Sequence, residues 1–347
     1  MSESKKVLVT GGSGFLGGVL IDRIMEMGWN VTSIDLSCPA TSPEGVLLLK
    51  FDLAEYKNFS QLDQSGYDII FHLATALDFD KKHSRGLFES NVQATRNILR
   101  FAKDTGSKKI VFTSSNSIYM GNKLDRPITE SDSPVAIDEY GKSKIASEAI
   151  LLSLKDEVQV TIIRCPNIMD AGRVGMLSIL FDFVNEGRKT WILGSGKVRH
   201  QCVYAPDVVD AILLTDKLDG TQIYNIGSDD VSTIREMYDH IVNRSNSGAK
   251  TARVPLYPTI WLLQILNRLN LSPLGPYQFR MLTRNFEFDT SKIKRDLGWS
   301  PTLNNKEMLW KSFEFYKSNF DTINSGQLSA NQSRVALKLI LVLKFFS

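Results

Sequence analysis

Short apolar runs alternate with longer amphipathic stretches through the first half of the chain. A short apolar run bounded by turn residues is typical of a buried strand, and apolar positions every three or four residues are typical of a helix. The predicted strands are 6–9, 30–34, 46–50, 68–72, 109–113 and 158–164, and the predicted helices lie near 15–28, 87–105 and 138–155. This alternation predicts a doubly wound α/β fold around a parallel sheet.

After Cys165 the alternation becomes less regular. The predicted helices there are 176–187, 206–215, 232–244 and 304–319, and the predicted strands lie near 191–193, 202–204 and 224–226. Ser232 is the expected N-cap of its helix, because a serine oxygen can accept from a free first-turn amide. Residues 260–282 form an apolar stretch broken by Pro273 and Pro276. We expect a first domain over 1–165, with elements near 203–227 returning to it, and a smaller interleaved portion over 166–320.

The composition narrows the class of protein. With 41 Lys and Arg against 38 Asp and Glu, the net charge is only +3, which does not favour a nucleic-acid partner. Three scattered cysteines and four scattered histidines show no ligand spacing, so no disulfide framework and no metal site are expected. The polar start runs straight into the first strand, so we expect no signal peptide and a cytoplasmic location.

The segment 321–347 reads as a polar linker followed by an apolar tail. Residues 335–346 are apolar except for Lys338 and Lys344, and the run is shorter than the roughly 20 residues that span a bilayer. We expect a terminal helix that packs on the core or on a partner subunit. A weak contact with a membrane surface is the alternative, because lysines interrupt the apolar run.

A glycine-rich turn lies between the first predicted strand and the first helix. Glycine is needed where a backbone turns tightly, touches a phosphate or lets a helix pack closely on a strand, and the helix N-terminus can bind a pyrophosphate. The residues expected to line this cofactor site are Gly11, Gly14, Phe15, Leu16 and Gly17. Asp35 ends the next strand, 18 residues after Gly17, where a carboxylate hydrogen-bonds an adenosine ribose and repels a 2′-phosphate. The sequence therefore predicts NAD rather than NADP.

A second pattern points to proton transfer at a hydroxyl carbon. Tyr140 and Lys144 are four residues apart on a predicted helix and so share a face, and Ser115 follows the end of a strand. A tyrosine is a poor base at neutral pH, but a neighbouring ammonium favours its phenolate and a serine hydroxyl can orient the substrate oxygen. We expect these three residues to be the catalytic set.

Together these motifs resemble the extended short-chain dehydrogenase/reductases, which include NAD-dependent sugar epimerases and dehydratases. The resemblance covers residues 5–320 and rests on the segments 10–17, 52–53, 72–75, 91–95, 113–119, 140–144, 207–210, 224–227 and 289–301. It implies that Asp52 and Leu53 hold the adenine and that Ala74 and Thr75 line the nicotinamide side. It also implies that Lys144 contacts the nicotinamide ribose. The resemblance further implies a homodimer formed through helices 87–105 and 138–155.

Departures from the family pattern bear on the substrate. The Asp-Glu pair that serves water elimination in the 4,6-dehydratases is replaced by Asn116 and Ser117, which disfavours dehydration. His200 stands where many sugar epimerases carry an Arg that clamps the nucleotide diphosphate. The candidate substrate residues are Asn167, Arg199, His200, Arg280 and Arg284. Asn91 is expected to be a buried tie between helix and strand rather than a ligand contact.

Three hypotheses for function follow. The leading one is a nucleotide-sugar 4-epimerase or 4-keto reductase, in which Tyr140 removes the hydroxyl proton while hydride passes to NAD. The second is a dehydrogenase of a 3β-hydroxysteroid-like or other lipophilic alcohol, which the apolar stretch 260–282 and the tail would suit. The third is a non-catalytic NAD-binding regulatory protein, which the presence of the full Ser-Tyr-Lys set disfavours.

Overall fold

The computed structural model describes residues 4–38, 43–76, 84–123, 125–175, 177–268 and 276–324. The strands are β1 (Lys6–Thr10), β2 (Asn30–Asp35), β3 (Val46–Lys50), β4 (Ile69–His72), β5 (Lys109–Ser115), β6 (Gln159–Cys165), β7 (Asn167–Met169), β8 (Lys189–Leu193), β9 (Cys202–Tyr204), β10 (Gln222–Asn225) and β11 (Lys250–Val254). The helices are α1 (Phe15–Glu26), α2 (Ser84–Thr105), α3 (Glu139–Ser153), α4 (Leu177–Asn185), α5 (Ala205–Leu214), α6 (Ile234–Ser245), α7 (Leu256–Arg268), α8 (Pro276–Thr283), α9 (Ser291–Leu297), α10 (Asn305–Ser318) and α11 (Phe320–Asn324).

A seven-stranded parallel sheet forms the centre of the molecule, in the order β3-β2-β1-β4-β5-β6-β10. The six strands predicted in the first half of the sequence are all present, within two residues of their predicted bounds. The strand order reverses between β1 and β4, where Thr10 and His72 are register partners at the carboxyl ends of their strands. This doubly wound topology confirms the predicted fold class, and ligands of such sheets bind at the carboxyl-end crevice of the reversal point.

Both faces of the sheet are covered, which explains why its strands are apolar runs rather than alternating ones. Val7 and Val9 of β1 pack in one buried cluster with Ile24 of α1. Leu8, between them in sequence, points to the opposite face and packs in a second cluster with Ile98 of α2. The site described below therefore stands on a sheet that is buried on both sides.

The second half of the chain adds a separate cluster and also returns to the sheet. Phe181 of α4 and Phe313 of α10 pack with ring centroids 5.6 Å apart, and Ile241 of α6 joins the same cluster. β10 pairs with β6 and forms one edge of the sheet. Smaller parallel pairs form between β7 and β9 and between β8 and β11.

Two local predictions for this half were wrong or incomplete. The N-cap of α6 is Thr233, not Ser232: the Thr233 and Glu236 side chains each accept from the other's backbone amide, a reciprocal box that Ser232 cannot form at its position. β11 was not predicted, because its run of Lys, Thr, Ala, Arg and Val lacks a clear apolar pattern. The hydrogen-bonded pairing with β8, rather than the local sequence pattern, stabilises this segment as a strand.

The apolar stretch predicted at 260–282 divides into α7 and α8, and the two prolines differ in their effect. Pro276 is the first residue of α8, where a missing amide costs nothing. Pro273 lies outside the described residues, as do positions 325–347 and with them the predicted apolar tail. Among the described residues no helix is both long and apolar enough to span a bilayer.

Candidate active site

The glycine-rich turn is packed so tightly that side chains would not fit. Gly11 adopts φ +76°, and a Cβ there would lie 2.7 Å from the Ala74 amide nitrogen. A Cβ on Gly17 would lie 2.2 Å from the Gly11 carbonyl oxygen. Gly14 is the N-cap of α1 and brings no side chain to the first-turn amides. The turn thus leaves amide donors at a helix N-terminus, which is the arrangement that binds a pyrophosphate.

Asp35 lies beside this turn at the end of β2. Its carboxylate accepts from the Ser13 amide at 3.1 Å and from the Ser37 amide at 3.3 Å, and the side chain is partly exposed. The predicted contact between this carboxylate and ribose hydroxyls stays a prediction. Asp52 is exposed and accepts from the Ala54 amide, whereas the Leu53 side chain is buried in the core, so only the backbone of Leu53 can face an adenine.

The segment after β4 is held by buried hydrogen bonds. Thr10 Oγ1 lies 2.8 Å from His72 Nδ1 and accepts from the Ala74 amide at 3.1 Å. Burial, and to a smaller extent Lys144, lower the pKa of His72 to about 3, so this ring is neutral and structural. Asn91 accepts from the Ala76 amide at 2.7 Å and donates to its carbonyl at 3.2 Å. It is the expected tie rather than a ligand contact.

One buried polar atom in this segment lacks a hydrogen-bond partner among the described residues. The Thr75 hydroxyl is buried and has no hydrogen-bond partner among the described residues. A buried hydroxyl without a partner is costly, so it points to a missing donor or acceptor. The glycine turn, the Asp35 carboxylate and this hydroxyl lie at the ends of β1, β2 and β4, and together they fit a dinucleotide.

The structure brings the three predicted catalytic residues together. The Ser115 side chain, at the end of β5, lies close enough to the Tyr140 side chain to lower its pKa, and it accepts from the Ser117 amide at 3.2 Å. Lys144 Nζ, one turn after Tyr140 on α3, donates to the Thr113 carbonyl at 2.8 Å. Gly141 makes this approach feasible, because a Cβ there would lie 2.6 Å from the Ser117 carbonyl oxygen.

The electrostatics of Tyr140 differ from the expectation. The sequence predicted that Lys144 would lower the pKa of the phenol, but burial raises the pKa of Tyr140 to about 12, and the lowering influences are Ser115 and then Arg173. Burial also lowers the pKa of Lys144 to about 8. The prediction was wrong in direction because local spacing carries no information on how strongly a site is desolvated.

Arg173 is a site residue that the sequence analysis missed. Its guanidinium carbon lies 5.6 Å from the Phe15 ring centroid, at the start of α1, and its charge lowers the pKa of Tyr140. It therefore lies between the glycine turn and the catalytic tyrosine. No sequence motif identifies Arg173 as a site residue, because it follows β7 in the less regular half of the chain.

A buried ion pair fixes the helix that carries Tyr140. Arg164 of β6 donates to Glu148 at 2.6 and 3.1 Å, and the two side chains are 4% and 5% exposed. Arg164 also donates to the Tyr119 hydroxyl at 2.5 Å. Tyr140, Lys144 and Glu148 follow at intervals of four, so the ion pair extends the catalytic face of α3.

A cavity of about 600 Å³ lies between the loop after the 3₁₀ turn Asn116–Tyr119 and the segment around α8. Its charged lining is mainly basic: Lys123, Asp125, Arg126, Arg280, Arg284 and Glu287. Arg126 is held by Asp132 at 2.7 Å, whereas Arg284 donates to the Asn122 carbonyl at 3.4 Å. Among the described residues, the basic side chains of this cavity without an ion pair are Lys123, Arg280 and Arg284.

Of the other predicted substrate residues, His200 lines this cavity, whereas Arg199 and Asn167 do not. His200 lines the cavity, but burial lowers its pKa to about 4, so it is neutral and cannot supply the charge of the arginine whose place it takes. Arg199 is exposed and does not line the cavity. Its backbone forms an isolated β-bridge with Thr233, and its charge lies near Glu236. Asn167 begins β7, is exposed and is the register partner of Cys202 in β9. The sequence alone did not show which of these predicted residues would line the cavity.

Comparison with known proteins agrees with this geometry. The family model for the NAD dependent epimerase/dehydratase family matches residues 7–227. Uncharacterized protein y4nG of Sinorhizobium fredii is 31% identical over 98% of this chain and 86% of its own length. The UDP-N-acetyl-alpha-D-glucosaminuronate decarboxylase of Bacillus cytotoxicus is 29% identical over 73% of this chain and 85% of its own length. The UDP-glucose 4-epimerase of Thermotoga maritima, solved with UDP-glucose, superimposes with a TM-score of 0.73 at 22% identity over 90% of this chain and 99% of its own.

Proposed function

The chain belongs to the NAD dependent epimerase/dehydratase family, and on that premise we propose that it acts on a hydroxyl carbon of a nucleotide sugar, as a 4-epimerase or a 4-keto reductase. The observation that carries the proposal is the basic cavity that Arg280 and Arg284 line. The planar, fork-shaped guanidinium of an arginine suits the oxygens of a diphosphate. Asn116 and Ser117 stand in place of the acid pair of the dehydratases, so the proposal does not include water elimination.

Ser115, Tyr140 and Arg173 have different roles in the proton transfer. Ser115 lies at the end of β5 and holds the substrate oxygen next to the Tyr140 hydroxyl. Tyr140 accepts the hydroxyl proton during oxidation and returns it during reduction. Burial raises the pKa of Tyr140 to about 12, so the resting phenol is protonated, as the reduction step requires. Arg173 and Ser115 act in the opposite direction and stabilise the phenolate.

Bound NAD supplies the hydride acceptor for the substrate carbon, together with a positive charge of the sign that lowers the pKa of a nearby phenol. The glycine turn, Asp35 and Thr75 would hold it. Lys144 donates to the Thr113 carbonyl and keeps two further ammonium hydrogens, one of which would reach a ribose hydroxyl.

A lipophilic alcohol is the second candidate substrate. The observation that favours it is the neutral state of His200, since one of the cations expected of a diphosphate clamp is absent at that position. A sterol-like substrate needs no such cation. The two candidates therefore differ in their dependence on the cavity arginines.

Thermal stabilisation separates the two substrates. The protein with NAD would be titrated with UDP-, GDP- and dTDP-sugars and with a 3β-hydroxysteroid, since a ligand of the native state raises the melting temperature by mass action. We expect a rise with at least one nucleotide sugar, loss of that rise in Arg284→Met, and an unchanged rise in the matched control Arg199→Met. A rise with the steroid alone, unaffected by Arg284→Met, would replace the proposed substrate by the second candidate.

A further inference from the structure

Helix α7 presents large apolar side chains to solvent. Tyr257 is 82% exposed, Trp261 is 67% exposed and Leu262 is 51% exposed. Tyr257 and Trp261 are the two most exposed large apolar side chains among the described residues. They are four positions apart in the sequence, so they lie on one face of the helix. We call Tyr257 and Trp261 the α7 face.

The chain around this face contains no acidic residue. Between Asp239 and Glu287 the sequence has no Asp or Glu, although about one residue in nine is acidic in the whole chain. The same stretch holds six basic residues: Arg244, Lys250, Arg253, Arg268, Arg280 and Arg284. Arg253 lies three residues before α7, Arg268 ends the helix, and both are exposed. The α7 face is therefore bordered by positive charge at both ends.

Apolar aromatic side chains bordered by basic ones match the surface of an anionic bilayer. Tyrosine and tryptophan are enriched at the level of lipid headgroups, where the ring is buried and its polar atom stays wet. Each lysine or arginine near an anionic surface adds electrostatic attraction. With 13 residues α7 is too short to cross a bilayer, so the helix would lie in the plane of the interface.

Charge also argues against the other partners that could cover this face. A second copy contributing the same face would bring the same basic residues, Arg253 and Arg268, to the contact. The C-terminal segment after Asp321 is apolar in part, but it carries Arg334, Lys338 and Lys344 and no acidic residue. Neither offers the negative charge that Arg253 and Arg268 would pair with.

We propose that the α7 face binds the surface of an anionic lipid bilayer, with Tyr257 and Trp261 inserted at the headgroup level and Arg253 and Arg268 against the phosphates. This binding surface is independent of the proposed function, because it shares no residue with the catalytic set. It would hold the enzyme at a membrane by a peripheral contact.

Vesicle sedimentation of the full chain tests the proposal. The protein would be mixed with vesicles of phosphatidylcholine alone and of phosphatidylcholine with phosphatidylserine. We expect binding to the mixed vesicles, weaker binding to phosphatidylcholine, and weakening at high salt, because salt screens the basic residues. The double variant Tyr257→Ser, Trp261→Ser should bind the mixed vesicles at least ~10-fold more weakly. Leu47→Ser, which removes a side chain 56% exposed on β3, is the matched control and should bind like wild type.

Two outcomes would overturn the proposal. Full binding by the double variant would show that another part of the chain, such as the C-terminal segment, meets the lipid. A change in oligomeric state on Trp261→Ser without lipid, measured by sedimentation, would show that a second copy covers the face. Far-UV circular dichroism of the variants would show that the loss of binding is not a loss of folding.

Discussion

Lys144 Nζ donates a 2.8 Å hydrogen bond to the carbonyl of Thr113, two residues before Ser115 on the same strand. The bond ties the helix that carries Tyr140 to the strand that carries Ser115. It therefore helps to fix the distance between the Tyr140 and Ser115 side chains. It also leaves two ammonium hydrogens for other acceptors. The role of Lys144 in this structure is thus to position groups at least as much as to tune the phenol.

Lys144→Met should weaken NAD binding and lower turnover together. The change removes the bond to Thr113 and the remaining donors while keeping the length of the side chain. NAD affinity measured by calorimetry and turnover measured on the substrate found by the thermal screen should both fall. Lys142→Met on the same helix removes an exposed partner of Glu139 and should leave both unchanged. A Lys144→Met enzyme with wild-type affinity for NAD would contradict the assigned ribose contact.

Asp35→Ala should narrow the preference for NAD over NADP. The carboxylate lies beside the glycine turn, where it would accept from ribose hydroxyls and repel a 2′-phosphate. Titration of the wild type should give much tighter binding of NAD, and the variant should lose affinity for NAD while gaining some for NADP. Equal or tighter binding of NADP by the wild type would refute this assignment.

Glu148→Gln should destabilise the fold more than any exposed ion pair does. It leaves the Arg164 guanidinium buried without its countercharge, which typically costs about 3–5 kcal/mol. Urea denaturation should show this loss of unfolding free energy. Glu139→Gln removes the exposed partner of Lys142 on the same helix and should cost no more than about 1 kcal/mol. A loss for Glu148→Gln as small as that of the control would mean that the ion pair does not hold α3 in place.

Acid should destabilise the protein in part through His200. Burial lowers its pKa from the ordinary 6.5 to about 4, so between these values the unfolded chain binds more protons than the native state. The free energy of unfolding should therefore fall as pH falls from about 6.5 to about 4. His200→Gln should reduce this slope, whereas the partly exposed His240→Gln should change it less. Identical pH dependence in wild type and His200→Gln would show that the ring titrates normally in the folded protein.

The strands and the Tyr140–Lys144 spacing could be predicted because both depend on local periodicity. Val7, Leu8 and Val9 are apolar on both faces of β1, and four residues always return a helix to the same side. The missed features depend on partners distant in sequence. β11 is ordered by β8, Arg173 meets Phe15 only after folding, and His200 and Arg199 turn to opposite sides of one segment. The pKa of Tyr140 was misjudged for the same reason, since burial is a property of the whole fold.

The most direct test of the account is the turnover of Tyr140→Phe. The variant keeps the ring on α3 but removes the oxygen that moves the proton, so NAD binding should survive while turnover falls by roughly 10²–10⁴. Ser115→Ala should cost less, because that side chain orients the substrate oxygen. Tyr56→Phe, which removes only a hydroxyl bonded to Asp104, should behave like wild type. The assay would follow nicotinamide absorbance, or product stereochemistry if NAD is regenerated within each turnover. Loss of turnover with NAD still bound is the predicted result, and wild-type turnover by Tyr140→Phe would contradict the catalytic assignment.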